Sequence, residues 1–207
     1  MYQTTRAEVM EKGVAIEAGI SGILGYILNI EAKSSKSFGY HGSALSFNAK
    51  VNLLTDLKFV PKEIARQFQI VAEVRNKFAH VQYVDNFTKC FEIVKDHKQY
   101  LLDTFTKAAP KGISEEDSLN LGFTFLCYNL GMWMNLILER SKYLKIQEVK
   151  KTAVVEMLRH FLSTSAPEKD TEEDKKFMEQ VDIVINDIEQ DKDFMTSVVE
   201  AVKAGEK

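Results

Sequence analysis

Residues 61–80 read PKEIARQFQIVAEVRNKFAH, and the period of that stretch decides the fold class. Ile64, Phe68, Val71 and Phe78 recur at helical spacing, so one face of a helix turns toward a core. Pro61 suits the first turn of that helix, where its missing N–H is no loss. The last six residues, Arg75-Asn76-Lys77-Phe78-Ala79-His80, place a permanent cation, an amide and a titratable imidazole within two turns. Arg75 offers a charged planar fork for phosphate oxygens. Asn76 supplies donor and acceptor, and His80 exchanges protons near neutral pH. Such a trio can hold and cleave a phosphodiester.

The helical period extends in both directions. Val9, Ile16, Ile20, Ile23, Leu24, Ile27 and Leu28 predict a long, largely buried helix over 5–32. Its glycines at 13, 19, 22 and 25 each weaken a helix by about 1 kcal/mol relative to Ala, and close packing against another helix is the expected compensation. The polar stretch 34–43 reads as a loop with His41 on the surface. Further helices are expected over 46–58, 86–107, 114–143, 145–163, 171–190 and 192–204. Ser114 and Asp117 form a capping arrangement at the start of the fifth. Leu121, Phe125, Tyr128, Trp133, Leu136 and Ile137 look like its core stripe. Phe177, Val181, Val184, Ile185 and Ile188 make the penultimate helix amphipathic.

The expectation is therefore an all-α helical bundle of about seven to eight helices. Residues 1–110 form the domain that carries the motif, and residues 111–207 form a C-terminal helical extension, either packed on the first part or serving as a dimer arm.

With 45% apolar and 28% charged residues, the 207-residue chain is composed like a soluble globular protein. It shows no signal-peptide pattern and no apolar run approaching the roughly 20 residues of a membrane helix, so a cytoplasmic location is expected. Cys90 and Cys127 lack CxxC spacing and read as buried small hydrophobes. His97 and His160 stand without carboxylate or cysteine partners at ligand spacing. No metal and no cofactor is implied. The phosphate-cradling, dinucleotide, nucleophile-elbow and zinc-protease signatures are all missing.

Lys and Arg outnumber Asp and Glu by three over 1–110, whereas acids are in excess by seven over 165–207. A weakly basic first half permits RNA contact but argues against a high-affinity coat protein. The acidic end reads as a solvated helical face or a docking place for a regulatory protein partner.

Three stretches together bear a family resemblance: Phe47-Asn48-Ala49-Lys50-Val51-Asn52-Leu53-Leu54, Leu57-Lys58-Phe59-Val60-Pro61, and Val74-Arg75-Asn76-Lys77-Phe78-Ala79-His80. In that order they resemble the mannitol operon repressor-like family. The last also resembles the Arg-x4–6-His motif of HEPN domains, all-helical modules many of which are metal-independent endoribonucleases acting as dimers. The resemblance covers roughly residues 1–105. It implies a HEPN-like first half, a homodimer, and Arg75, Asn76 and His80 as catalytic residues acting on RNA. Transcriptional control is the other implication, but the sequence holds no helix-turn-helix with a basic recognition helix, and direct DNA binding gets no support.

Helix geometry constrains the mechanism. Asn76 and His80, four apart, share a face, whereas Arg75 and His80, five apart, diverge by about 140°. Either Arg75 reaches around the helix, or the helix distorts, or a second copy supplies the missing groups across a twofold axis; the resemblance favours the last. A purely structural role is the competing reading: Arg75 bridging to Glu73 or to a neighbouring helix, and His80 bonding the last carbonyls of its own helix. Binding of RNA or a nucleotide without catalysis is a third.

Overall fold

The computed structural model describes residues 2–39, 41–107, 109–110 and 112–165, together with positions 175, 176, 179, 182 and 183. Among the described residues every regular element is a helix: α1 (Tyr2–Leu28), α2 (Phe47–Asp56), α3 (Lys62–His80), α4 (Phe87–Ile93), α5 (Lys95–Phe105) and α6 (Glu115–Ser165). The all-α class is as expected, but these six helices differ from the expected seven to eight. The stretch 86–107 divides at Val94, whose φ of -97° and ψ of 54° leave the helical region. Conversely, the two helices expected over 114–143 and 145–163 are one, because no Gly or Pro interrupts residues 132–165. The helices expected over 171–190 and 192–204, with the acidic segment they carry, lie outside the described residues, apart from Lys175, Lys176, Glu179, Asp182 and Ile183, which are helical.

Local chemistry sets the helix ends. Beyond α1, Asn29 takes a left-handed φ of 56° and Ile30 N–H donates to the Gly25 carbonyl at 2.8 Å, a reversal that satisfies a terminal carbonyl. A Cβ on Gly25 would lie 2.6 Å from the Ile30 carbonyl oxygen, so the reversal requires glycine there. Ser46 caps α2 by accepting from the Ala49 N–H at 3.2 Å. Pro61 is the cap residue of α3, one position before the expected first turn. Ser114 accepts from the Asp117 N–H at 3.1 Å, which is the capping expected for α6.

α3 lies at the centre of the bundle and packs against α1, α2 and α4. Its residues Ile64, Phe68, Val71, Val74 and Phe78 are all buried. Phe78 meets Phe87 of α4 edge-on at 5.4 Å between ring centroids, and Phe87 meets Phe123 of α6 at 5.3 Å, so one aromatic chain ties three helices. Buried Gln67 extends a polar chain through the same layer. It accepts from Asn129 at 2.8 Å and donates to the Tyr100 hydroxyl at 2.9 Å, which in turn donates to Glu63 at 2.6 Å. Burial and the Glu63 carboxylate raise the Tyr100 pKa above its usual value. From α6, Glu116 accepts the N–H groups of Phe87 and Thr88 at 2.8 and 2.7 Å and so caps α4.

Two compact units divide between Glu139 and Arg140, well beyond the boundary expected near Pro110. Leu119, Phe123, Leu126 and Leu130 belong to the same core cluster as α1–α5. The face of α6 expected to be buried is largely the wrong one: Phe125, Tyr128 and Leu136 are exposed, and of that stripe only Ile137 is buried. The cause is that residues 118–138 contain no Asp, Glu, Lys or Arg, so apolar period alone does not select a side. That uncharged run also corrects the expectation about membrane helices, since α6 is long and apolar enough to cross one by length and composition. In the second unit, Tyr143, Ile146, Val149 and Met157 of α6 are exposed.

The aromatic chain sets the first prediction. Replacing fully buried Phe87 by Ala should cost about 3–5 kcal/mol of unfolding free energy, read from the urea midpoint at an unchanged slope. Replacing exposed Tyr83 by Ala should stay within about 0.5 kcal/mol. Equal costs at the two positions would contradict the packing described.

Candidate functional site

The motif occupies the last two turns of α3, and its three residues meet different surroundings. Arg75 turns back toward α1. Its Nη2 donates to Glu17 Oε2 at 2.5 Å, and its Nη1 donates to Asn76 Oδ1 at 2.9 Å. Glu17 is shared: its other oxygen accepts from Lys50 of α2 at 3.1 Å. One carboxylate thus bridges three helices. The Lys50 side chain is only 4% exposed, so its ammonium depends on that partner to offset the loss of water.

Asn76 and His80 are exposed. They sit one turn apart on the same side of α3, as their spacing predicts. The backbone just after His80 is held in place by α1, since Arg6 Nη2 donates to the carbonyls of Val81 and Val84 at 3.2 and 2.8 Å. The end of the motif helix is therefore anchored, while the two side chains remain open to solvent. Within one chain the motif pairs Arg75 with Asn76.

Two cavities flank the helix. One of about 510 Å³ is bounded by α1, the 32–46 connection and α2, and Arg75, Glu17 and Lys50 line it. The other, about 460 Å³, lies beside the α4–α5 junction and is lined by Asn76, Glu73, Lys77 and His97 among others. In it His97 Nε2 lies 3.1 Å from Glu73 Oε2, so His97 has the carboxylate partner that its sequence spacing did not suggest. Glu73 is thereby engaged with His97, and the carboxylate that bridges to Arg75 is Glu17. His97 Nδ1 and Arg75 Nε are buried without a hydrogen-bond partner.

Neither thiol is an activated nucleophile. Burial pushes Cys90 and Cys127 each up to about 12, well above the range of reactive thiolates. His41, expected on the surface, is exposed and lies on the rim of the first cavity.

Glu17 and Lys50 are the functional candidates that the sequence reading missed. A faint signal existed: Lys50 falls among Phe47, Val51 and Leu54 on the buried face of α2, and Glu17 falls between Ile16 and Ile20 in an apolar helix. A charge on a buried face implies a partner nearby, but sequence alone does not say which.

No protein-family model matches the chain, and comparison with curated proteins and with solved structures finds no match either.

The position of Arg75 depends on Gly13. A Cβ on Gly13 would lie 2.7 Å from Arg75 Cγ and 3.0 Å from its Cβ, close to the rigid base of the side chain. At an open helix position Gly→Ala stabilises by up to about 1 kcal/mol. Gly22→Ala, where nothing lies within 4 Å, should show that gain in urea unfolding. Gly13→Ala should lose about 1–3 kcal/mol through overpacking; a gain at both positions would contradict the close approach of Arg75 to α1.

Proposed function

We propose that the chain is a metal-independent endoribonuclease whose cleft is completed by a second copy across a twofold axis. The observation that supports this reading best is the exposure of Asn76 and His80, one turn apart on an anchored helix end, with Arg75 bonded to Asn76 beside them. The likeness of residues 74–80 to the HEPN motif supplies the dimeric cleft and the RNA substrate, and the weakly basic first half suits a polyanion.

The divergence of Arg75 and His80 on one helix gives the second copy its role. His80 of one chain takes the proton of an RNA 2′-hydroxyl. The 2′-oxygen then forms a bond to phosphorus as the bond to the 5′-oxygen breaks. The second copy's His80, protonated, gives its proton to that leaving oxygen. Arg75 Nη1 and the Asn76 amide hold the non-bridging oxygens as charge grows on them. The products are a 2′,3′-cyclic phosphate and a 5′-hydroxyl, and DNA, without the 2′-hydroxyl, is not a substrate.

A non-catalytic regulatory protein is the second reading. The Arg75–Glu17 ion pair favours it, because that bond gives Arg75 a structural role.

Incubation of the purified protein with single-stranded RNA in the presence of a chelator separates the two. The nuclease reading expects cleavage with cyclic-phosphate ends and a fall of about 10²-fold or more in His80→Ala, with DNA of the same sequence intact. Equal cleavage by His80→Ala, or intact RNA with a demonstrably dimeric protein, overturns it and leaves the regulatory reading.

A further inference from the structure

We infer that the cavity beside Arg75 is a binding site for a small phosphate monoester, seated between the Lys50 ammonium and the Arg75 guanidinium. The inference shares Arg75 with the ribonuclease reading but not His80, which lines no part of this cavity.

The first argument is charge. Two cations, Lys50 and Arg75, share one carboxylate, Glu17, so the cluster keeps one positive charge in excess. Lys50 has a side chain 4% exposed and Arg75 one 22% exposed, so water neutralises that excess poorly. An oxyanion in the cavity would complete the balance. The lining adds Lys33 and His41, and among the described residues no second carboxylate lines the cavity.

Unused donors are the second argument. A lysine carries three N–H donors and an arginine five. Lys50 uses one, on Glu17, and Arg75 uses two, on Glu17 and Asn76. Arg75 Nε is buried with no partner, although buried donors are almost always satisfied. A phosphate, with three terminal oxygens, can accept from a guanidinium and an ammonium at once. Ser46, the cap residue of α2, also lines the cavity, so the positive end of that helix faces the same space.

The third argument is shape. At about 510 Å³ the space falls within the range of small-molecule sites and exceeds what one inorganic ion fills. Ala18, Phe38 and Leu45 supply an apolar wall in addition to the charged one. The ligand that fits both walls has a phosphate at one end and an apolar or planar body at the other.

Calorimetric titration at fixed pH and ionic strength tests this, with inorganic phosphate and phenyl phosphate as probes. Phenyl phosphate should bind one per chain, at least about tenfold tighter than inorganic phosphate, since the ring buries apolar area. Lys50→Met should weaken binding about tenfold or more through loss of a charge-assisted bond. Glu17→Gln should strengthen it, because it removes the competing negative charge and raises the excess positive charge while keeping an amide oxygen that can still accept from a neighbouring cation. A merely unfolded variant does not bind more tightly, so Glu17→Gln decides the matter even if Lys50→Met fails to fold. His80→Ala should bind phenyl phosphate as the parent does, whatever its effect on RNA. The inference is overturned if neither probe shows saturable binding by about 10 mM, if inorganic phosphate binds as tightly as phenyl phosphate, or if Glu17→Gln binds no more tightly than the parent.

Discussion

A single carboxylate, Glu17 of α1, receives Lys50 from α2 and Arg75 from α3, and the arrangement of the first three helices around the motif depends on it. Lys50 is almost wholly removed from water and would be costly there without that oxygen. Arg75 lies across α1 because Gly13 leaves room for its stem. The same bond sets what the motif can offer chemically. With Nη2 committed to Glu17 and Nη1 to Asn76, Arg75 is a fixed positive group beside the helix, whereas Asn76 and His80 face solvent.

Much of the bundle was legible in the sequence because its signals are local. The stripe Ile64, Phe68, Val71 and Phe78 is buried as its spacing predicts, and Ser114 caps the helix it precedes. What escaped the reading was set by tertiary packing. Residues 118–138 carry no charge on any side, so packing against Phe87, and of Leu101 beside Gly122, decides that Phe123 turns inward and Phe125 outward. Val94 ends a helix although its composition would let the helix continue, and the break lets α5 start again with His97 placed against Glu73.

The candidate site was legible only in part, for a related reason. Arg75, Asn76 and His80 lie within six residues of sequence and were visible together, and the structure bonds Arg75 to Asn76. Glu17 is 58 positions from Arg75 and Lys50 is 33 from Glu17. Pairs so distant leave no mark in a single sequence beyond a charge on an apolar face. The two flanking cavities are likewise products of how the helices cross, and each takes one motif residue: Arg75 the first, Asn76 the second.

The dependence of the motif on Glu17 is open to direct measurement through a double-mutant cycle in urea unfolding, with Glu17→Gln, Arg75→Gln and the pair together. If the bond holds Arg75 in place, the two changes are coupled by about 1–3 kcal/mol, as expected for residues in one buried ionic network. Additivity within about 0.3 kcal/mol would mean that Glu17 does not hold Arg75 and would contradict the arrangement on which the site is built.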